Sequence, residues 1–549
     1  MALDPQSLPS GELSPQQPVA VPRSTEPARV SAGDAVVSGA GKWLIAASVM
    51  LGTFMSVMDV TVVNVAMPHM MGTFGADLLT ITWVSTAYSI AEIILITMSG
   101  WWTTLLGRKR FFLFSMIVFL IGSLLAGASH TLLQMILARI LQGIGGGGLI
   151  PCAQAIARET FPPAEQGMAM AIFSMGVILA PALGPTLGGW LVDNLSWQWV
   201  FYINLPIGIV AIAMVSAFVH DPLYLKRGVQ NIDWTGIVLL TIGLSTFQLV
   251  LERGEEVDWF SSNLIVLGTV VASVTLLGLV VWELYTDEPV INLRLLANPQ
   301  LRIGTTLNAV IGFVLFGSSF ALPQWTETLL GYPAMRAGMV LLPRPITMMI
   351  MMPIMGRLYN YLNPRIPVAI GALLQIYGVW ALAHFPLEVG FANFAPMLVL
   401  LGLGSSCFAV TIGTISLSTM AAADMTGASS IFTVFQRVSA NVAYASLATL
   451  LARRSQFHHL RLVHGISVLN GSYRIIQEGL MQQFMRHGTP AQPAVVASLM
   501  NSMLNRQATI MAYNDIFTLM VWLFGFAMLL IPLLPTRPPH LRSGAAAAH

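Results

Sequence analysis

The sequence predicts an all-α integral membrane protein of fourteen transmembrane helices, on three observations. Of 549 residues, 55% are hydrophobic and only 9% are charged, against about 25% charged in a soluble domain. So few charges cannot clothe a surface in water, so the surface must face lipid. Apolar runs of the length that crosses a bilayer, about 20 residues each, follow one another along the chain. The cations of the short connections fall on one side of the resulting zigzag.

Residues 1–40 are rich in Pro, Ser, Gln and Ala, lack apolar periodicity and read as a disordered cytoplasmic tail. The first apolar run begins only near Trp43, so no cleavable signal peptide is read. The predicted spans are 43–67, 80–101, 111–129, 131–153, 165–191, 199–219 and 234–251. They continue with 263–284, 303–329, 335–356, 366–384, 393–417, 427–452 and 512–534. With the N-terminus inside, the inner loops from the second to the twelfth span hold ten cations. These are Arg108, Lys109, Arg110, Arg158, Lys226, Arg227, Arg294, Arg302, Arg357 and Arg365. The short outer loops hold Arg253 and Arg336. Ten against two sets both termini in the cytoplasm. The segment 453–512 follows an odd-numbered span and is expected outside. Helical apolar spacing at Leu480, Met481, Phe484 and Met485 suits either a docking surface or a self-contained cap on the outer mouth. Residues 536–549 form a cytoplasmic tail.

A net charge of +2 gives no hint of nucleic acid. The two cysteines, Cys152 and Cys407, support neither a disulfide framework nor a metal site. No metal-ligand cluster or nucleophile–base pair appears in the helices, so an enzyme, a metal and a cofactor are not expected.

Charge inside the spans is the main functional signal, because a central ionisable group costs about 2.5–3.5 kcal/mol on insertion scales. Asp59 lies in the first span, in Met58-Asp59-Val60-Thr61-Val62-Val63-Asn64-Val65-Ala66-Met67-Pro68. It is either a proton-binding acid or a structural acid tied to a neighbouring helix. Glu92 is a second membrane carboxylate, and Arg139 is a permanent charge in the fourth span. Gln142-Gly143 and the glycines 145–148 follow Arg139. They read as a close-packing surface, since no strand precedes them and no Gly-Lys-Ser/Thr follows.

In the fifth span Gly176, Ala180, Gly184 and Gly188 recur at a step of four and form one smooth stripe on which another helix can lie. Pro181 and Pro185 each remove a backbone donor, predicting a kinked helix that cannot pass protons along its backbone. Arg108, Lys109 and Arg110 suit either a gating loop or simple topogenic cations. Methionines 348, 349, 351 and 352 suit membrane packing or a compliant cavity wall.

Together these strings resemble the EmrB/QacA-type fourteen-helix drug:proton antiporters of the major facilitator superfamily, on the side of the EmrB-like inner-membrane exporters. Ala180-Pro181-Ala182-Leu183-Gly184-Pro185-Thr186-Leu187-Gly188-Gly189 is similar to the antiporter motif Gly-x-x-x-Gly-Pro-x-x-Gly-Gly, with Ala in first place. The Asp59 string resembles the first-helix signature Leu-Asp-x-Thr-Val-Val-Asn-Val-Ala-Leu-Pro. Gly100, Gly107, Arg108, Lys109 and Arg110 match the gating loop Gly-x-Leu-Ala-Asp-Arg-x-Gly-Arg-Lys. Thr104 and Leu105 replace its Asp and first Arg, so its charge relay is incomplete. Leu137 to Gly146 resembles the fourth-helix motif whose Arg is linked to proton transfer. Trp199-Val200-Phe201-Tyr202-Ile203-Asn204-Leu205-Pro206-Ile207-Gly208 resembles the start of the sixth helix, with Gln198 for a common Arg. Pro323, Gly331, Tyr332, Ala337, Gly338, Pro343 and Arg437 match the second half, with Glu327 where relatives often carry Gln.

The likeness runs from Trp43 to Pro535. It implies a major facilitator fold: a six-helix bundle (41–228), two additional central helices (229–290) and a second six-helix bundle (291–535) that includes the loop 453–512. It implies proton-coupled export of hydrophobic or amphipathic compounds across a bacterial inner membrane, with Asp59, Glu92 and Arg139 in coupling. Thr61, Asn64, Gln142, Glu327 and Arg437 are substrate-cavity or second-half candidates. The implied partners are an EmrA-like periplasmic membrane-fusion adaptor and a TolC-like outer-membrane channel. The alternatives are a narrow exporter of one metabolite or fatty acid, or a non-transporting membrane scaffold; the fifth-helix motif argues against uptake by symport.

Overall fold

A computed structural model describes residues 40–221, 232–385, 390–465, 475, 478–479 and 493–535, and the regular elements among them are all helical. The first six are α1 (Ala40–Phe74), α2 (Trp83–Leu106), α3 (Arg108–Gly127), α4 (Leu132–Thr160), α5 (Gln166–Asn194) and α6 (Asn204–Phe218). A pair follows, α7 (Trp234–Arg253) and α8 (Asn263–Tyr285). The last six are α9 (Pro299–Leu330), α10 (Pro343–Leu358), α11 (Arg365–Ala383), α12 (Phe391–Ser416), α13 (Met425–Gly465) and α14 (Pro493–Leu530). Short helices Leu78–Ile81, Trp199–Tyr202 and Ala334–Val340 lead into α2, α6 and α10.

Local chemistry sets the helix ends. Thr131 caps α4 by accepting from the Gln134 amide, and Asp233 caps α7 through the Gly236 amide at 2.8 Å. Asn298 caps α9, whose first residue is Pro299, which has no amide to satisfy. Gly107 separates α2 from α3 at φ 86°, a left-handed conformation that a side chain would strain.

Among the described residues, twelve helices are long and apolar enough to cross a membrane, and the bent α5, taken as one span, makes a thirteenth. The remaining predicted span is α13, which is continuous but rich in hydroxyl, amide and basic groups such as Gln436, Arg437 and Asn441. Fourteen helical segments thus stand where the apolar runs predict them.

Two cores organise the molecule, one drawn from α1–α6 and the other from α9 and α11–α14, while the α10 methionines pack with α5 and α12. Helix pairings repeat between the two sets: α1 packs on α5 and α6 as α9 packs on α13 and α14. Likewise α4 packs on α2 and α3 as α12 packs on α10 and α11. The pair α7 and α8 lies beside α2 and α13. Trp259, after α7, donates to Thr449 of α13 at 2.8 Å, and Arg253 donates to Leu79 and Thr82 ahead of α2.

Two elements differ from the predicted spans. The long loop at 453–512 is shorter than predicted, because α13 continues helically to Gly465 and α14 already begins at Pro493. The extensions hold one another: Asp515 accepts from Arg454 at 2.6 Å and pairs with His458 at 2.7 Å. Leu480, Met481, Phe484 and Met485, like most of both tails, lie outside the described residues. The kink predicted for α5 is present as a 41° bend between Gln166–Pro181 and Thr186–Asn194.

Candidate functional site

The centre of the first bundle is built on Asp59, which is 1% exposed. Arg139 of α4 reaches its Oδ2 at 2.6 Å. The amides of Gln142 and of Asn204 each donate to its Oδ1 at 2.8 Å. Ser123 of α3 takes hydrogen bonds from both amides and donates to the Phe201 carbonyl. The guanidinium also donates to the Val84 carbonyl and to Gln142, and lies 4.2 Å from the Tyr88 ring centre. Four helices and the Tyr88 face thus enclose one ion pair. Arg139 stands seven residues into α4, so the pair lies about 10 Å in from the face opposite Gly107. The ion pair is buried, and each of its charges is also met by neutral hydrogen-bond partners.

The glycines around Arg139 are contact surfaces. A Cβ on Gly143 or Gly147 would meet α2 carbonyls at 2.5 Å, and one on Gly145 would meet the Phe119 backbone. The small stripe of α5 receives α1: a Cβ on Gly176 would strike Met50, on Gly184 the Thr61 hydroxyl, and on Gly188 Val62. Ala180 on the same stripe is fully buried, whereas Gly189 faces open space.

Glu92 of α2 pairs with Arg437 of α13 at 3.2 Å, joining the bundles inside the membrane. From this pair toward Gly107 the bundles are tied repeatedly. Ser430 donates to the Ile96 and Thr97 carbonyls. Gly100 abuts Gly427, where a Cβ would come within 2.8 Å of the opposing Cα. Arg108 is buried, pairs with Glu159, and donates to Thr426 at 3.0 Å and to the Ala422 carbonyl. Arg158 donates to the Thr414 carbonyl at 2.7 Å, and Asn360 donates to the Ala164 carbonyl. Among the described residues, no hydrogen bond joins the bundles on the other side of Glu92. The molecule is therefore closed at the Gly107 face.

Thr104, standing where the gating loop has Asp, donates to the Gly100 carbonyl of its own helix. The Lys109 amide is bound by Asp221 at 2.7 Å. Of the remaining candidates, Gln142 belongs to the Asp59 centre and Thr61 to the α1–α5 seam. Asn64 is exposed and accepts from Ser85 at 3.3 Å. Glu327 is exposed near the end of α9 and stands apart from both charge centres, in which Arg139 pairs with Asp59 and Arg437 with Glu92. Ser123, Asn204 and Tyr88 are site residues that the sequence did not single out. Asn204 was visible in the Ile203-Asn204-Leu205-Pro206 string, but nothing there tells that its amide meets Asp59.

Residues 49–444 match the family described as Major Facilitator Superfamily. Over 504 residues the chain is 32% identical to the Multidrug export protein EmrB of Haemophilus influenzae, covering 92% of this chain and 97% of that one. It is 33% identical over 493 residues to the Multidrug export protein EmrB of Escherichia coli K12, covering 89% and 94% respectively. The solved human organic anion transporter MFSD10 (TETRAN) superposes with a TM-score of 0.58, covering 88% of this chain and 99% of that one. At 12% identity that likeness speaks for the fold alone.

Proposed function

The chain belongs to the Major Facilitator Superfamily, and from that membership we propose that it is a proton-coupled multidrug exporter of hydrophobic or amphipathic compounds. Multidrug export is what both EmrB relatives are named for. The loop cations set the Gly107 face in the cytoplasm, with both termini there and the membrane being the bacterial inner membrane. Residues 41–228 and 291–535 act as the two moving bundles, and 229–290 as a fixed flank.

The observation that carries proton coupling is the sealed Asp59–Arg139 pair. Protonating Asp59 from the outer face cancels its charge and leaves a buried guanidinium held by neutral groups only. That imbalance favours rearrangement toward the inward-facing state, where substrate binding and proton loss restore the pair. Arg139 acts through its field and does not titrate. Each proton returning down a 100 mV potential supplies about 2.3 kcal/mol, which sustains roughly a fifty-fold gradient of a neutral substrate. An EmrA-like adaptor and a TolC-like channel complete the route; the hairpin of α13 and α14, extended beyond the bilayer, supplies a surface for the adaptor.

The test is substrate-induced proton flux in proteoliposomes. Asp59→Asn keeps the shape and neutral amide contacts of the protonated acid but cannot release a proton. It is expected to fold, retain substrate binding and lose flux. Full coupling in this variant moves the role to another acid.

A further inference from the structure

The second bundle holds a buried cation that the proton-coupling reading does not use. Arg344, 6% exposed, donates to Ser318 of α9 at 2.6 Å and to Ser405 of α12 at 3.1 Å. Gln375 of α11 donates to the same Ser405 at 2.7 Å and to the Leu401 carbonyl at 2.9 Å. Among the described residues, the Arg344 Nε–H finds no acceptor and the Gln375 Oε1 finds no donor.

The contrast with the first bundle is one of charge. Arg139 has Asp59, and Arg437 has Glu92. Among the described residues, Arg344 forms no ion pair. Neutral hydroxyls satisfy two of its donors but do not cancel its charge, so a buried positive potential remains.

The backbone supplies no counter-charge. Hydrogen bonds from the Leu341 amide to Gly338 and from the Arg344 amide to Leu341 carry the helical path from Ala334–Val340 into α10. Pro343 and Pro345 bring no amide hydrogens, so the side chains of Arg344 and the two serines are the donors at this place.

Position gives the site a direction. Met348, Met352 and Met355 follow Arg344 along one face of α10 and pack with Ala171 of α5 at the seam between the bundles. Arg344 is about one turn further from the closed Gly107 face than Met348 and about three turns further than Met355. A charged head at the guanidinium would therefore have a soft apolar seam beside it for a hydrocarbon or aromatic tail.

We propose that Arg344, with Ser318, Ser405 and Gln375, receives the negatively charged head of amphipathic organic monoanions, carboxylates above all. The proposal rests on the exporter reading and narrows it to charge. The bidentate fork of a guanidinium suits a carboxylate, the two serines supply further donors, and displacement of a weak serine contact frees the second edge of the fork. A lipophilic cation has no favourable contact at this place and would bind elsewhere in the cleft.

The experiment compares decanoate with tetraphenylphosphonium, by equilibrium binding to purified protein and by efflux from proteoliposomes. Variants are Arg344→Gln, which removes the charge, and Arg344→Lys, which keeps it and guards against a folding defect. The expected result is at least a tenfold loss of decanoate affinity in Arg344→Gln, partial recovery in Arg344→Lys, and unchanged tetraphenylphosphonium binding. Decanoate affinity unchanged in Arg344→Gln overturns the proposal, as does equal loss of both probes in both variants. Decanoate binding that depends on Arg344 while neither probe is exported supports the site and sinks the exporter reading alone. Export of tetraphenylphosphonium by a protein that does not bind decanoate does the reverse.

Discussion

Asp59 is held by one guanidinium and two amides, so replacing it separates charge from shape. Asp59→Asn abolishes coupling for the reasons given above, whereas Glu92→Gln is expected to be milder. The Arg437 side chain is 20% exposed, so losing Glu92 leaves its charge partly solvated. Partial access of Arg437 to solvent is expected to let Glu92→Gln keep a reduced but measurable substrate-induced proton flux. A Glu92→Gln protein with no flux at all would show that Glu92 itself carries the proton. At this scale the charges were legible because charge inside an apolar run is conspicuous. Their partners were not. Ser123, Asn204 and Tyr88 are ordinary residues on three other helices, and only tertiary packing brings their hydroxyl, amide and ring to Asp59. Of the two readings left open for Asp59, the tie to a neighbouring helix is present in the Arg139 pair, and the proton-flux assay tests the other.

Helices were legible wherever one local force dominates. Apolar run length gave the spans, and Pro181 with Pro185 gave the bend of α5. The outer extensions of α13 and α14 were missed because they are not apolar; they are held by the Asp515 contacts with Arg454 and His458 and by Ser455 against Thr509. The α4 terminus carries the element-scale prediction. Arg158 is buried without an ion pair among the described residues and donates to a carbonyl in the last turn of α12, where the helix dipole is negative. Its neighbour Tyr359 cannot neutralise it, because burial pushes that phenol up to about 12. This contact supplies a tie across the bundles at the face where Thr104 lacks the usual carboxylate. A charge-assisted hydrogen bond contributes about 1.5–3 kcal/mol, so Arg158→Gln should favour opening of this face by roughly ten- to a hundred-fold. Thiol labelling of a cysteine placed at Ala164 measures it, and an unchanged labelling rate would show that Arg158 is a packing residue only.

The whole molecule is asymmetric from face to face although its two bundles repeat one another's pairings. That asymmetry was the least legible feature in the sequence. Apolar periodicity marks which side of a helix is buried but not which bundle covers it. Gly100 against Gly427 and Gly167 against Gly356 look like any other small residues until the bundles are brought together. The ties between the bundles gather at the Gly107 face, and among the described residues no hydrogen bond joins the bundles on the other side of Glu92. Transport then requires the Gly107 face to part once in every cycle. Ala164 and Asn360 offer a place to forbid it, since the Asn360 amide lies 2.5 Å from the Ala164 carbonyl across the seam. The native Cys152 and Cys407 are free and buried, so they are first replaced by serine to leave a clean background. Ala164→Cys with Asn360→Cys should then cross-link on mild oxidation. Efflux from proteoliposomes should fall to background and return on reduction, while either single variant stays active throughout. Undiminished efflux by the fully cross-linked protein would mean that this face does not open during transport, and the alternating movement of the two bundles would have to be abandoned.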